Sequence, residues 1–338
     1  MSYIAITLNH VRAIKAWAQA HDGQAKLDLL SFELEVKARH RYFTLYPQFL
    51  AIIDGRFAHV PQITADVSGF IGWLPYRAMR WPLSSDKRLF KRLLVDHGLP
   101  TPASWASPSE AKGDFIVKQA AGSFGFDMAG PFHEGDAAAL FAGRPATESG
   151  LFAEQFVRGR NLKVWFWGDR AFHAQLHEYP RVTGDGRSTL RELAADRIGR
   201  DGVDFDHYKE MPFLLQAIKF QGRTLHDVLP AGDEHWLDFR YGRRFAPRAT
   251  TAEADNALPQ LGGPQRQMID QTGRLIASEL ARTLAAPVLY SVDGVVDERG
   301  AIFWLEVNSN PMFVPTGYPF MLETLFGVAA APAGTTPN

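Results

Sequence analysis

The chain contains no cysteine among its 338 residues. Disulfide bonds, thiolate nucleophiles and cysteine-ligated metal sites are therefore excluded. No apolar run approaches the roughly 18 uninterrupted residues that would indicate a membrane-spanning helix. The first apolar stretch is interrupted by Asn9, His10 and Arg12 and lacks the pattern of a signal peptide. We expect a cytoplasmic enzyme or binding protein with no membrane partner.

An excess of charge of one sign is also lacking. The 36 basic and 37 acidic residues leave a net charge of −1, so no general attraction to nucleic acid is expected. The composition, 46% hydrophobic and 22% charged, is typical of a soluble globular protein. The length allows about two or three domains of ordinary size. No internal repeat is visible, and the oligomeric state stays open, with a homodimer among the alternatives.

Polar residues interrupt two apolar runs near the C-terminus. The runs 292–296 and 301–307 flank a turn-forming segment, a pattern that predicts a β-hairpin. Glu306 and Asn308 are two residues apart and therefore project from the same face of one strand. A loop of two or four residues would place Asp293 on that face as well, whereas a loop of three would not.

This hairpin predicts a metal site. Two carboxylates and an amide beside Trp304 and Leu305 are costly to bury unless they are paired. Mg²⁺ takes oxygen ligands and is usually held by one or two carboxylates together with substrate phosphates. Asp293, Glu306 and Asn308 are therefore the predicted ligands, and a nucleotide is expected elsewhere in the chain. From the hairpin alone, a solvent-exposed strand face is the alternative interpretation.

A candidate phosphate site lies in the first half of the chain. Lys118 is near the end of a predicted strand, residues 114–119, and precedes a turn that contains Gly122 and Gly125. An ammonium group beside exposed backbone N–H groups neutralises phosphate oxygens. The lysine precedes the glycines, so this is not a Walker A loop, and the spacing is not that of a dinucleotide fingerprint. A solvated lysine at a strand end is the alternative.

The order of these parts resembles the ATP-grasp superfamily of carboxylate–amine ligases. The resemblance covers about residues 84–320 and is most specific in residues 85–102 and 305–311. Its elements are, in chain order, Asp86 and Lys87 at a helix start, Lys118 with its glycine-containing loop, Glu154 with Val157 and Gly159, and Asp293 with Glu306 and Asn308.

The resemblance implies an α/β (α+β) fold class, the ATP-grasp fold, in which two α+β lobes clamp ATP. Ahead of the lobes, residues 3–8 are strand-like, Val11, Ile14, Trp17 and Ala18 follow a helical pattern, and residues 49–53 are a second apolar run, so the sequence predicts a small N-terminal α/β domain. The implied boundaries are residues 1–83 for the N-terminal domain, 84–160 for the nucleotide-binding lobe, 161–328 for the C-terminal lobe with the metal and substrate site, and 329–338 for a disordered tail. The implied cofactors are ATP and Mg²⁺.

The resemblance also assigns roles to single residues. The positions implied at the nucleotide are Lys87 and Lys118 for the phosphates, Gly122, Ser123 and Gly125 for the mobile flap above them, Glu154, Gln155 and Val157 for the adenine edge, and Asn161 for the ribose. Relatives usually carry an acidic residue where this chain has Asn161. Asp293, Glu306 and Asn308 match the metal ligands of the family, in agreement with the hairpin pattern.

The family's usual reaction implies an ATP-dependent carboxylate–amine ligase. ATP phosphorylates a carboxylate, and an amine then displaces phosphate from the acyl phosphate to form an amide or peptide bond. Positive charge must stabilise the tetrahedral oxyanion. Candidates for that charge are Arg181, Arg240, Arg243 and Arg244. Some relatives have an arginine two residues after the metal-binding asparagine, where this chain has Asn310.

Two further segments narrow the comparison. Residues 180–193 and 221–229 resemble the ATP-grasp portion of cyanophycin synthetase and related glutamate–cysteine ligases. This similarity implies that the carboxylate belongs to an amino acid, a small peptide or a peptidyl substrate, and that the amine is a small molecule or peptide. Two alternatives stay open: an ATP-grasp kinase that phosphorylates a small molecule, and a non-catalytic nucleotide-binding protein.

Overall fold

A computed structural model of the chain describes residues 2–121, 128–136, 150–200, 202–241, 251–284 and 287–328. Its α-helices are α1 (Ser2–Ala20), α2 (Pro82–Ser85), α3 (Lys87–Asp96), α4 (Leu190–Gly199), α5 (Met211–Phe220), α6 (Gly263–Leu280) and α7 (Tyr318–Phe326). Across the described ranges, no helix combines the length and the apolar character that a membrane span requires.

The strands form three larger antiparallel sheets and one two-stranded ribbon. The first sheet contains β1 (Gln24–Leu27), β2 (Leu34–Ala38), β3 (Arg41–Ile53), β4 (Arg56–Val60) and β5 (Val67–Leu74), with β3 paired to β2, β4 and β5. The second contains β6 (Ser104–Trp105), β7 (Phe115–Gln119), β8 (Met128–Phe132) and β9 (Leu151–Gln155), in the order β6-β9-β7-β8.

The third sheet has the order β11-β10-β14-β15. Its strands are β10 (Gly159–Trp167), β11 (Arg170–His177), β14 (Leu289–Asp297) and β15 (Ile302–Ser309), and the ribbon pairs β12 (Arg181–Thr183) with β13 (Glu234–Trp236). Helices and antiparallel sheets thus make up a mixed α/β architecture, and the predicted fold class is confirmed. The boundary near residue 83 lies between the first and second sheets, the boundary at residue 160 lies at the start of β10, and the division into domains remains a prediction.

The N-terminal region differs from the sequence-based expectation. The apolar run of residues 3–8, predicted as a strand, is part of α1, whereas the helical pattern from Val11 to Ala18 is confirmed. Further along α1, Ile14, Trp17 and Ala18 are buried at helical spacing in the core of the first sheet. This burial decides the helix, because packing overrides the weak local preference for a strand. The region is a helix on an antiparallel sheet rather than an alternation of strands and helices.

The first sheet shares its core with the C-terminal part of the chain. Trp73 from β5 and Met321 from α7 belong to one buried cluster. The hydroxyl of Tyr318 accepts a hydrogen bond from the Trp73 N–H at 3.0 Å and lies 2.8 Å from His10 Nδ1. Gly72 has φ +151°, and a Cβ there would lie 2.9 Å from that of Phe313, so only glycine allows this close approach.

The segment that leads from α3 to the second sheet is hydrogen-bonded to β15 of the third sheet. α3 begins after Asp86, whose side chain caps the helix by accepting a hydrogen bond from Arg88 N at 2.8 Å. After α3, the Thr101 hydroxyl donates to Trp304 O at 2.8 Å, and Trp304 N donates to Pro100 O at 3.0 Å. The helix that carries Lys87 is thereby fixed against β15.

Candidate active site

β14 and β15 form the predicted hairpin, but its turn has three residues, 298–300, because Val296 pairs with Ile302 and Asp297 N donates to Ala301 O. A turn of this length alone would place Asp293 on the opposite face from Glu306 and Asn308. β14 and β15 pair so that Asp293 lies directly opposite Glu306 and Ser291 lies opposite Asn308. The register shifts between Asp293 and Gly294, because one extra residue of β15 bulges there. This bulge aligns Asp293 with Glu306, so the three oxygen-bearing side chains share one face of the sheet.

Both carboxylates of the hairpin face lysines. Lys163 Nζ lies 2.5 Å from Asp293 Oδ1, and Lys87 Nζ lies 3.1 Å from Glu306 Oε2. Asn308 Nδ2 donates to Asp293 Oδ2 at 3.1 Å. Burial raises the pKa of Asp293, and the Glu306 carboxylate raises it further, while Lys163 opposes both effects. The face therefore combines closely spaced like charges with mobile cationic partners.

This donor set fits a hard divalent cation. Besides burial, the repulsion from Glu306 raises the pKa of Asp293, and a cation between the two carboxylates would offset that repulsion. Carboxylate and amide oxygens are ligands that Mg²⁺ accepts. The lysines that contact these carboxylates end in flexible four-carbon stems. They could turn toward phosphate oxygens when a cation takes their place.

A second charged group is buried between α3 and the second sheet. Lys118 Nζ lies 2.6 Å from Glu154 Oε1, and Lys91 Nζ lies 2.8 Å from Glu154 Oε2. Lys118 and Glu154 are diagonal neighbours on one face, since Ile116 is the direct partner of Glu154. Lys91 also donates to Thr101 Oγ1 at 2.8 Å. Glu154 thus holds two lysines, a role the sequence did not predict.

The protonation of this buried group follows from its charges. Burial raises the pKa of Glu154, but Lys118 and Lys91 outweigh that effect and bring the pKa below its ordinary value. Glu154 is 1% exposed. Each of its carboxylate oxygens faces a lysine, and the residue lines the cavity. Contact of this side chain with an adenine edge, the role implied by the family resemblance, remains a prediction.

Lys163 is a site residue that sequence analysis missed. It lies on β10 as the direct partner of Asp293, and its Nζ is 5.3 Å from the ring centroid of Tyr241. Three lysines, Lys87, Lys118 and Lys163, therefore line the same cavity. The signal was present in the chain, because Lys163 is two residues beyond Asn161 and must share its strand face.

The segment after β9 provides the expected adenine-side positions. Gln155 N donates to Ala103 O at 2.8 Å, so this backbone group is already paired. Val157 O accepts a weak contact from the Tyr179 hydroxyl at 3.4 Å. The Val157 N–H donates to no other described residue and lines the cavity. Val157 is therefore the better placed of the two backbone positions.

Asn161 lies in the cavity wall but is partly occupied. Its Nδ2 donates to Phe239 O at 3.0 Å, and the residue is buried. A ribose hydroxyl would therefore have to use its carbonyl oxygen. Gly122, Ser123 and Gly125, the predicted flap, lie outside the described residues.

The candidate arginines are in different environments. Arg240 lines the cavity, contacts Glu210 and Asp238 through its guanidinium, and stacks over Phe213 at 3.4 Å from the ring centroid. Arg181 is exposed, pairs with Glu178 at 3.0 Å and Glu234 at 2.7 Å, and does not line the cavity. Arg243 and Arg244 lie outside the described residues. Among the described candidates, Arg240 is the one in the cavity.

Asn310, at the position where some relatives have an arginine, connects two segments of the chain through hydrogen bonds. Its Nδ2 donates to Met79 O at 2.6 Å, and its Oδ1 accepts from Met79 N at 3.1 Å. The residue is buried and has φ +49°, a left-handed conformation that asparagine tolerates better than most residues. These two hydrogen bonds fix the segment before α2 to the end of the β14–β15 hairpin.

We expect substitution of Asn310 to destabilise the protein by weakening this connection. Asn310→Ala should lower the free energy of unfolding by about 1–3 kcal/mol, since two backbone groups of Met79 lose their partners. Asn310→Gly loses the same bonds but relieves the left-handed backbone, and should be the milder variant. Chemical denaturation measures both. Unchanged stability in Asn310→Ala would contradict the assignment.

The first, second and third sheets enclose one cavity of about 2350 Å³, and its lining includes Lys87, Lys118, Lys163, Asp293, Glu306, Asn308 and Arg240. Pockets for a single drug-sized ligand are typically about 300–1,000 Å³. The cavity therefore has room for a nucleotide and for further substrates beside it.

No family model and no curated protein matches the chain. Among solved structures it is similar to a bifunctional glutathione synthetase from Pasteurella multocida, with 15% identity and a TM-score of 0.42 over 94% of this chain and 43% of that one. It is also similar to the ATP-grasp ligase PsnB, with 15% identity and a TM-score of 0.37 over 73% of this chain and 61% of that one.

A third similarity is to D-alanine–D-alanine ligase from Bacillus anthracis, with 12% identity and a TM-score of 0.37 over 72% of this chain and 63% of that one. The chain spans less than two thirds of the length of each of these three proteins.

Proposed function

We propose that this protein is an ATP-dependent carboxylate–amine ligase that forms an amide or peptide bond and releases ADP and phosphate. One observation carries the proposal: Lys87, Lys118 and Lys163 line the same cavity as Asp293, Glu306 and Asn308. Such a set provides cations for a polyphosphate and oxygen ligands for the metal that accompanies it.

The lysines would bind the phosphates from two sides. Lys118 is held on β7 by Glu154, while Lys87 and Lys163 approach from the metal hairpin. Asp293, Glu306 and Asn308 would hold Mg²⁺, which, when bound, neutralises charge between the γ-phosphate and an incoming carboxylate. Val157 and Asn161 would face the adenine and the ribose, and the flap at residues 122–125 remains a prediction.

The reaction needs no protein nucleophile. A carboxylate oxygen of the substrate attacks the γ-phosphorus, and the bond to ADP breaks, leaving an acyl phosphate. The amine nitrogen then attacks the acyl carbon, phosphate leaves with the bonding electrons, and the nitrogen loses a proton. The protein contributes positioning and positive charge. Arg240 is the proposed source of charge against the oxyanion, held in place by Asp238 and Glu210.

The substrate class follows from the inserts that resemble cyanophycin synthetase and glutamate–cysteine ligases. We propose an amino acid, a small peptide or a peptidyl carboxylate as the acid, with a small-molecule or peptide amine. The cavity volume of about 2350 Å³ is consistent with two substrates beside ATP.

The test is an ATP-consumption screen of the full chain across amino acids and dipeptides, with products identified by mass spectrometry. We expect ADP and phosphate in equal amounts and a product whose mass equals acid plus amine minus water. Formation of AMP would contradict the proposal. A stable phosphorylated product without amine dependence would instead indicate a kinase, and bound ATP without turnover under any mixture would indicate a non-catalytic nucleotide-binding protein.

A further inference from the structure

The wall of the cavity formed by the N-terminal domain is basic. Arg12 on α1, Arg56 on β4 and Arg80 before α2 all line the cavity, and all three are exposed. None of them forms an ion pair with a carboxylate of the described chain. The cavity-lining residues before residue 85 include no Asp or Glu within the described ranges. With a net charge of −1 for the whole chain, this concentration of positive charge is local.

Neutral histidines accompany these arginines, so the charge of the wall comes from the guanidinium groups. His10 lines the cavity, and burial lowers its pKa to about 3. Burial also lowers the pKa of His59, an effect that the charge of Arg80 reinforces, although the contact with Asn310 O opposes it. Both imidazoles are therefore uncharged near neutral pH. By contrast, the guanidinium of Arg240 across the cavity is already matched by two carboxylates.

The basic wall is fixed at the end of the metal hairpin. His59 Nε2 lies 3.2 Å from Asn310 O, two residues beyond Asn308. Met79, the neighbour of Arg80, forms two hydrogen bonds with the Asn310 side chain. A substrate whose reacting group lies at the hairpin would therefore extend along a surface that carries Arg12, Arg56 and Arg80.

We propose that this wall binds carboxylates of the substrate other than the one that reacts, so that the substrate is a polycarboxylate such as an acidic amino acid or an acidic peptide. The inference rests on the proposed ligase function. Arginine binds a carboxylate through two parallel hydrogen bonds in a fixed geometry. A neutral amide in place of the carboxylate lacks the negative charge that strengthens these bonds. Three guanidinium groups without acidic partners offer more positive charge than a neutral substrate would require.

The experiment compares L-glutamyl-L-glutamate with L-glutaminyl-L-glutamine and with a phosphoserine dipeptide, both in the ADP-release assay and in direct binding by calorimetry with ATP present. Arg12→Gln, Arg56→Gln and Arg80→Gln are measured against Arg266→Gln, an exposed arginine of α6 that does not line the cavity. We expect the acidic dipeptide to bind best. The Kd and KM for the acidic dipeptide should rise roughly 10- to 100-fold in those variants of Arg12, Arg56 and Arg80 that remove a direct contact with its carboxylates.

The affinity for ATP and the properties of Arg266→Gln should stay unchanged. Equal or better use of the neutral dipeptide, with unaltered values in the arginine variants, would overturn the inference and leave the ligase function standing. Preference for the phosphoserine dipeptide would overturn it too. If no dipeptide is turned over, the ligase proposal fails for these substrates, and arginine-dependent binding of the acidic dipeptide still decides the present inference: its presence supports the basic wall, and its absence overturns it.

Discussion

Glu306→Ala is expected to lower the rate of ADP formation by about 10²–10³-fold, the scale observed when one preorganised electrostatic contact is lost from a reacting centre. Glu306 is the direct strand partner of Asp293, and with Asn308 it completes the proposed metal face. The fold should tolerate the change. The Glu306 side chain is 25% exposed and that of its partner Lys87 is 15% exposed, so this ion pair is partly solvated, and exposed pairs contribute at most about 1 kcal/mol.

The control for this variant lies in the same hairpin. Glu298 is an exposed residue of the turn between β14 and β15 and does not line the cavity. Glu298→Ala should retain the original rate, and chemical denaturation should place both variants within about 1 kcal/mol of the unmodified protein. A rate within tenfold of the original in Glu306→Ala, with stability retained, would remove Glu306 from the site. A lost fold would show as a shifted unfolding midpoint.

The β14–β15 hairpin was the part of the candidate site that the sequence predicted best. Two strands and a tight turn are neighbours in the chain, so their pairing depends on local pattern. The bulge at Asp293 was not predicted, because the apolar and polar alternation of β15 gives no sign of an extra residue there. The bulge preserved the prediction, since without it Asp293 would lie opposite Leu305 rather than Glu306.

Residues that act across the fold were harder to predict. Lys163 and Asp293 are 130 positions apart in the chain, and only the pairing of β10 with β14 brings them together. Lys91 lies on the buried side of α3. The sequence of α3 has the ordinary pattern of an amphipathic helix, which does not indicate that this lysine is buried. The first turns of α1, residues 3–8, were predicted as a strand for a related reason, because the packing of the whole helix on the first sheet, rather than local composition, decides their structure.

Glu154→Gln is expected to lower the free energy of unfolding by about 3–5 kcal/mol, because it leaves two buried ammonium groups without their carboxylate. Lys118, Lys91 and Glu154 are 5%, 3% and 1% exposed, so water cannot replace the lost partner. Lys91→Met should cost less, since Glu154 keeps its 2.6 Å contact with Lys118. Chemical denaturation of both single variants and the double variant measures the coupling, which should exceed about 0.5 kcal/mol. Additive effects would contradict a shared charge network.

The pH dependence gives an independent check on the same carboxylate. The two lysines hold the folded-state pKa of Glu154 below its ordinary value despite burial. A lowered folded-state pKa adds stability above the unfolded-state pKa, and that stability is lost as the pH falls through the folded-state value. The unmodified protein should therefore lose stability more steeply in acid than Glu154→Gln does. Parallel acid limbs for the two proteins would show that Glu154 is not held ionised by the lysines.

Lys91→Met also separates the structural role of the network from a direct role in binding ATP. Lys91 does not line the cavity, whereas Lys118 does. Glu154 is expected to orient Lys118 correctly only while it also contacts Lys91. The Kd for ATP should therefore rise about 10- to 100-fold in Lys91→Met, the range seen when a residue that supports a ligand-binding group is removed. Exposed Lys112, which does not line the cavity, provides the matched control Lys112→Met. An unchanged Kd for ATP would mean that the contact with Glu154 alone suffices to position Lys118.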